Sequence, residues 1–365
     1  MGIIRLLLAL SVLSTHANSI FGCHFVGGQM AVQSFYIISG FYMALILKEK
    51  YVGKNGSFKL FISNRFLRLY PIYLTILGLT ALACIAVAIQ TKGQSFPKFE
   101  QFSQINYNPL SFIYLIFANI IIFGQDLVLF LGISPQDGHL FFTSDFTTTN
   151  PHLYAFMLVP QAWSLGIELT FYLLAPFILR KSLKFQSAII LLSLALRFYL
   201  YNVLDLKNDP WTYRFFPTEL LFFMLGSLAY HLKTKLSGTK IKSYSAAILL
   251  VYIIMFTVIY AYIPVVEINY IPFSLKDIAY YISIMVSIPI LFLCYKNNKI
   301  DNQIGELSYP VYISHKLIIM IFAGLPFIAL RNGVSIAVFT IIASILLIKF
   351  ISKPIEKVRQ SRLNK

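Results

Sequence analysis

The chain has 365 residues, 58% of them hydrophobic and only 12% charged, with a mean hydropathy of +0.73. That balance excludes a soluble domain and predicts an all-α, polytopic membrane protein. The net charge of +16 does not point to nucleic acid. Its lysines and arginines gather in a few short connections and at the carboxyl end, as in a protein that obeys the positive-inside rule and faces anionic membrane lipid.

Apolar runs long enough for a hydrocarbon core of roughly 30 Å predict spans near residues 3–20, 30–47, 72–89, 159–179, 187–204, 215–231, 244–263, 277–295, 311–328 and 334–352. The first resembles a signal peptide in length. Its single basic residue is followed by Thr15, His16, Asn18 and a glycine-rich turn with no Ala-x-Ala-like site, so it reads as a retained helix. Arg5 and His16 stand eleven residues apart in it, which returns them to nearly the same helix face about 16 Å apart along the axis. Ionisable groups within a bilayer are costly and mark a functional cavity by default. The plainer alternative is a snorkelling arginine and an incidental histidine.

The second span carries Gln33, Ser34, Ser39 and Gly40. These offer hydrogen bonds and a close backbone approach, and helix packing alone would account for them. Between 48 and 68 lie Lys48, Lys50, Lys54, Lys59, Arg65 and Arg68, which assigns that loop to the cytoplasm. Arg65 and Arg68, three apart, share a helix face and can grip phosphate oxygens, or they serve topology alone. Lys233, Lys235, Lys240 and Lys242 mark another inner loop, and Lys353, Lys357, Arg359, Arg362 and Lys365 mark an inner tail.

The stretch 110–133 is apolar but interrupted by Gly124-Gln125-Asp126, and 134–158 has Asp137 and Asp145 without a lysine or arginine, so it faces outward. A single crossing by 110–133 would put either that loop or the tail on the wrong side. A re-entrant or broken element buried in protein resolves the parity. The expected bundle therefore has about ten crossings, with both termini cytoplasmic. One domain, 1–352, is followed by a short basic tail, 353–365.

Two further clusters stand out. Gln161-Ala-Trp163-Ser164-Leu-Gly-Ile-Glu168 opens the fourth span, and its glutamate must face a wet cavity or pair with a cation such as Arg5, Arg197 or Arg214. Leu307-Ser308-Tyr309-Pro310-Val-Tyr312-Ile-Ser314-His315 opens the ninth, where a buried hydrogen-bond network competes with direct chemistry. Three scattered cysteines and six histidines show no thiolate or His-Glu-x-x-His spacing, so no metal is expected.

Together Arg5-x10-His16, Phe35-Tyr-Ile-Ile-Ser39-Gly-Phe41, Arg65-x-x-Arg68 with Tyr70-Pro71, Trp163-Ser-Leu-x-x-Glu168 and the 307–315 run resemble the acyltransferase-3 family of integral-membrane acyltransferases. The resemblance spans essentially the whole chain. It implies transfer of an acyl group, commonly acetyl, from cytoplasmic acetyl-CoA or another acyl-CoA to a hydroxyl of a cell-envelope or exported glycan, in a bacterial inner membrane. By this resemblance His16 is the catalytic histidine, and Arg5, Arg65 and Arg68 bind the donor. Some relatives carry an extra esterase-like periplasmic domain. This chain is expected to be the stand-alone form, passing the acyl group to a glycan or lipid-linked sugar itself or to a separate periplasmic protein.

That chemistry agrees with the residues. Arginines at the cytoplasmic mouth suit the phosphates of CoA, and neutral imidazole either deprotonates the acceptor hydroxyl or is itself acylated first. Glu168 is expected to orient or stabilise His16. Ser39, Trp163, Tyr309 and His315 are the candidate substrate-pocket residues. The rival reading, a transporter or flippase for a lipid-linked glycan, shares the apolar mass and the broken helix, and explains the Arg5–His16 stripe less well.

Overall fold

The computed structural model describes residues 1–52, 56–239, 241–324 and 330–362. Lys54, Lys240 and Lys365 of the basic segments, and the last residues expected in the 311–328 span, lie outside the described residues. Twelve helices are described: α1 Gly2–Ala17, α2 Gly27–Glu49, α3 Phe58–Gln90, α4 Pro109–Ile120, α5 Trp163–Ile178, α6 Leu183–Asn202, α7 Phe216–Leu236, α8 Ser243–Ile259, α9 Leu275–Tyr295, α10 Lys299–Gly324, α11 Gly333–Leu347 and α12 Lys353–Ser361. A single antiparallel hairpin, β1 Leu131–Ile133 with β2 Leu140–Phe142, is the only sheet among the described residues.

Each of the ten expected spans contains a helix. Seven helical stretches among the described residues are long and apolar enough to cross a membrane. The other three expected spans, α1, α5 and α7, sit in the interior. α1 and α5 have only 16 residues each, about 24 Å, and are mostly buried among longer neighbours, with Leu174 and Phe177 near the end of α5 exposed. α7 is long enough at 21 residues but carries Glu219, Lys233 and Lys235.

Contacts at the two ends fix the alternation of direction. At one end Lys233 pairs with Glu49 at 2.6 Å, Arg180 reaches the carbonyl of Tyr51 at 3.0 Å, and Lys50 donates to Gln360 at 3.1 Å. At the same end Asp301 of α10 accepts from the Gly2 and Ile3 amides at 2.8 and 3.1 Å, satisfying donors that the start of α1 leaves open. This end holds the basic residues and takes the cytoplasmic side. At the opposite end the Trp211 indole donates to Ser144 O at 2.8 Å and Tyr262 to Gly22 O at 2.8 Å.

The 110–133 element enters from the outer end and returns to it. Asn108 caps α4 by accepting from Leu110 and Ser111 at 3.1 and 3.2 Å, and the chain breaks after Ile120. Gly124, at φ +78°, turns it into a 3-10 segment, Gln125–Leu129. The Asn106 amide donates to Pro135 O at 3.0 Å, so the beginning and end of the excursion meet. Its tip is held by α3, where Tyr73 donates to Asn119 O at 2.5 Å and the Ile122 amide donates to Tyr70 at 3.3 Å. Irregular backbone survives at this depth because protein groups satisfy it.

Two basic segments are more ordered than expected. The loop expected at 48–68 ends early, because Ser57 caps α3 and the helix runs unbroken from Phe58 through the arginine pair, 33 residues in all. The carboxyl-terminal residues form α12, with Arg359 donating to Asn64 O at 3.0 Å and Arg362 to Asn64 Oδ1 at 3.1 Å.

Candidate functional site

Helices α1, α2, α3, α5 and α10 enclose a cavity of about 230 Å³ on the cytoplasmic half of the bundle. On α2 its wall is Val32, Phe35, Tyr36, Ser39, Tyr42 and Met43, a stripe repeating at three and four residues as a helix face must. Arg5 comes from α1, and Arg65 and Arg68 from the first turns of α3. Arg65 is only 4% exposed and its Nε has no hydrogen-bond partner among the described residues. None of the three arginines has a carboxylate within 4.0 Å among the described residues. Unpaired guanidinium groups converging on one space form a site for an anion with several oxygens.

Glu168 is the one carboxylate among the described lining residues. Its Oε1 accepts from Ser39 at 2.6 Å and from Tyr172 at 2.5 Å. Of the cationic partners considered for it, Arg5 lines the same cavity without pairing with it within 4.0 Å, whereas Arg197 pairs with Glu219 at 2.5 Å and Arg214 with Asp209 at 2.7 Å. No hydrogen bond joins Glu168 to His16 among the described residues, which corrects the expectation that it orients the imidazole directly. The reason is geometric. Glu168 projects from the first turns of α5 toward the middle of α2, whereas His16 lies at the far end of α1.

His16 is exposed on the outer side, with its ring stacked on that of His315 at 5.4 Å between centroids and 15° between planes. His315 is fully buried. Its Nδ1 donates to Tyr312 O at 2.6 Å, and its Nε2 has no partner among the described residues. Tyr312 connects the two regions. Its hydroxyl faces the cavity, donating to Gln161 O at 2.9 Å and meeting Ser164 Oγ at 2.6 Å, while its carbonyl holds His315. Tyr312 with Ser164 therefore forms the partition between the cavity and the histidine pair.

The acyltransferase-3 family model, described as an acyltransferase domain, matches residues 1–352. The chain belongs to the acyltransferase-3 family. This membrane acyltransferase is also similar to an uncharacterized protein of Aquifex aeolicus (strain VF5), 27% identical over 225 residues, which is 58% of this chain and 93% of the relative. No solved structure matches it.

Six of the acyltransferase's nine candidate residues line the cavity: Arg5, Ser39, Arg65, Arg68, Glu168 and Tyr309. Tyr309 also ties α10 to α3 by donating to Leu69 O at 2.6 Å. His16 and His315 stand together beyond the partition. Trp163 is separate from the cavity too, packed edge-on to Tyr213 at 4.9 Å with the Arg214 guanidinium 4.3 Å from its ring centre. Tyr42 and Tyr172 line the cavity as well, and so do Ser164 and Tyr312, which stand in the two polar clusters without being candidate pocket residues. For Tyr42 the signal was present, since it lies three residues beyond Ser39 on the same face. For Tyr312 the 307–315 run signals a hydrogen-bond network, but its partners depend on which helix lies opposite.

Proposed function

We propose that the acyltransferase moves an acyl group, acetyl in the simplest case, from cytoplasmic acyl-CoA to a hydroxyl of a cell-envelope or exported glycan, from a bacterial inner membrane. The observation that carries this reading is the set of three unpaired arginines facing one cavity at the cytoplasmic end, with His16 farther along the same helix as Arg5. The arginines would hold the phosphates of CoA in charge-assisted pairs. The eleven residues from Arg5 to His16 rise about 16 Å, a length that suits an extended pantetheine arm running along α1 past Tyr312.

At His16 the reaction breaks the thioester C–S bond and forms a C–O bond, and the acceptor's hydroxyl proton leaves with CoA as its thiol. Imidazole serves either by taking that proton as the hydroxyl attacks, or by attacking the thioester first and passing the acyl group on. Stacking on His315 fixes the plane of the ring for both routes. Glu168 works on the donor side. Its Oε2 makes no hydrogen bond among the described residues and would accept from an amide N–H of the pantetheine arm. The acceptor is the glycan itself or a separate periplasmic protein that receives the acyl group.

The test is acyl transfer from labelled acetyl-CoA to surface glycan in membranes containing wild type or His16→Ala at equal abundance. Loss of a defined O-acyl group in the variant supports the reading. Equal acylation in both removes His16 from the chemistry.

A further inference from the structure

A second set of cations surrounds the outer end of α1, away from the cavity. Lys316 follows His315 on α10 and is half-buried, and Lys98, half-buried as well, belongs to the outer segment between α3 and α4. Neither has a carboxylate within 4.0 Å among the described residues. Lys316 is close enough to Lys98 and Arg214 for mutual repulsion, and Lys316 and Arg214 both act electrostatically on His16. Arg214 meets Asp209 through Nε alone, at 2.7 and 2.9 Å, and its guanidinium lies over Trp163 and Tyr213. Lys316 and Arg214 thus stand near the histidine with Lys98 next to Lys316, and of the three only Arg214 is paired with a carboxylate among the described residues.

Positive charge at this end is otherwise disfavoured, because basic residues belong on the cytoplasmic side. Like charges left half-buried without counter-ions repel and lose hydration, which disfavours their charged forms unless an anion joins them. The phosphates of CoA cannot be that anion while they occupy Arg5, Arg65 and Arg68. Those arginines line the cavity on the other side of the Tyr312 partition, and Arg5 is about 16 Å along α1 from His16. An anion that joins the outer cations is therefore a second one, separate from CoA.

We infer that the acceptor is an anionic glycan, a sugar bearing a carboxylate or phosphate group that docks against Lys316 and Lys98 with the receiving hydroxyl at His16. This rests on the acyltransferase reading above and names the substrate class of the same site. Arg214 lies on the Trp163 side of this cluster, and a neutral sugar would leave Lys316 and Lys98 unmatched.

Binding can be measured without turnover, because Trp163 lies against Arg214 and reports on the site by fluorescence. Purified protein in nanodiscs of neutral lipid is titrated with glucuronate, glucose 6-phosphate and glucose, and separately with acetyl-CoA. Both anionic sugars are expected to bind at least about tenfold more tightly than glucose, the value of one charge-assisted contact. Lys316→Gln should remove that preference, Lys316→Arg should restore it, and Arg68→Gln should leave it intact while weakening acetyl-CoA. A tighter phosphate than carboxylate would mark a phosphosugar or lipid-diphosphate acceptor, and the reverse a uronic acid. Equal binding of glucose and the anions, or an anion preference that survives Lys316→Gln, overturns the inference. Anion binding of the expected kind with no binding of acetyl-CoA would instead keep this site and discard the donor reading.

Discussion

The rings of His16 and His315 stack with centroids 5.4 Å apart, one ring exposed and the other fully buried. The buried partner has an unpaired Nε2, a group whose desolvation costs about 1–3 kcal/mol when nothing bonds to it. Its ring face is therefore what His16 uses, and phenylalanine can supply one. His315→Phe is expected to keep thermal stability equal or higher and transfer activity within about threefold. His315→Ala should lose about tenfold, the upper range for a ring pair of about 0.5–1.5 kcal/mol. Assaying transfer per folded molecule checks this. If the Phe variant is as inactive as the Ala variant, the His315 nitrogen takes part in the chemistry.

The arginines can be separated by exposure. Arg65 is buried with a free Nε, whereas Arg68 is exposed. Lysine keeps the charge but loses the planar fork. Arg65→Lys should weaken acetyl-CoA binding about tenfold, the worth of a charge-assisted contact, and Arg68→Lys clearly less. Calorimetry across a range of salt concentrations would show both, with the wild-type affinity falling as salt rises. Equal effects of the two substitutions would mean that burial does not set their roles.

The span pattern was legible because chain length in apolar residues converts directly into membrane thickness, and the 110–133 excursion followed from charge parity alone. The arginine pair was legible too, since three-residue spacing fixes a shared face. Other features depend on facts that no local pattern carries. Phe58–Arg68 reads as a basic loop, yet Asn64 and Arg65 are buried because α12 returns to cover them. Glu168 and His16 both read as intramembrane polar groups, but sequence gives a helix face without its depth relative to a neighbour. The break before Trp163 sets α5 so that Glu168 meets Ser39 instead.

That placement gives Glu168 a signature of its own. It is the only negative charge among the described lining residues of a cavity with three arginines. Glu168→Gln removes that charge, so the cavity becomes more positive and acetyl-CoA should bind severalfold more tightly. Turnover should fall, by about tenfold or more, if the carboxylate orients the bound arm. Steady-state kinetics would resolve a lower KM together with a lower kcat. Unchanged kcat in a normally folded variant would reduce Glu168 to a packing residue.

The cavity wall on α2 is positioned by a close crossing with α7, which makes the site sensitive to residues that never touch it. A Cβ added at Gly40 would lie 1.9 Å from Phe223 O, and one at Gly226 would lie 2.0 Å from Ile37 O. Small residues at such a crossing let two backbones meet, and here they bring Tyr36 onto Phe223 with ring centroids 4.5 Å apart. Gly40→Ala or Gly226→Ala must push the helices apart, at a cost of about 1–3 kcal/mol for overpacking. Movement of α2 also carries Ser39 away from Glu168. Each substitution should lower the unfolding temperature and reduce transfer in the protein that remains folded. Gly78 on α3 is the control, since nothing lies within 4 Å of its added Cβ and alanine there should be neutral or stabilising by about 0.5–1 kcal/mol. Thermal unfolding of the three variants in one detergent would decide whether the crossing, rather than glycine content in general, holds the cavity in shape.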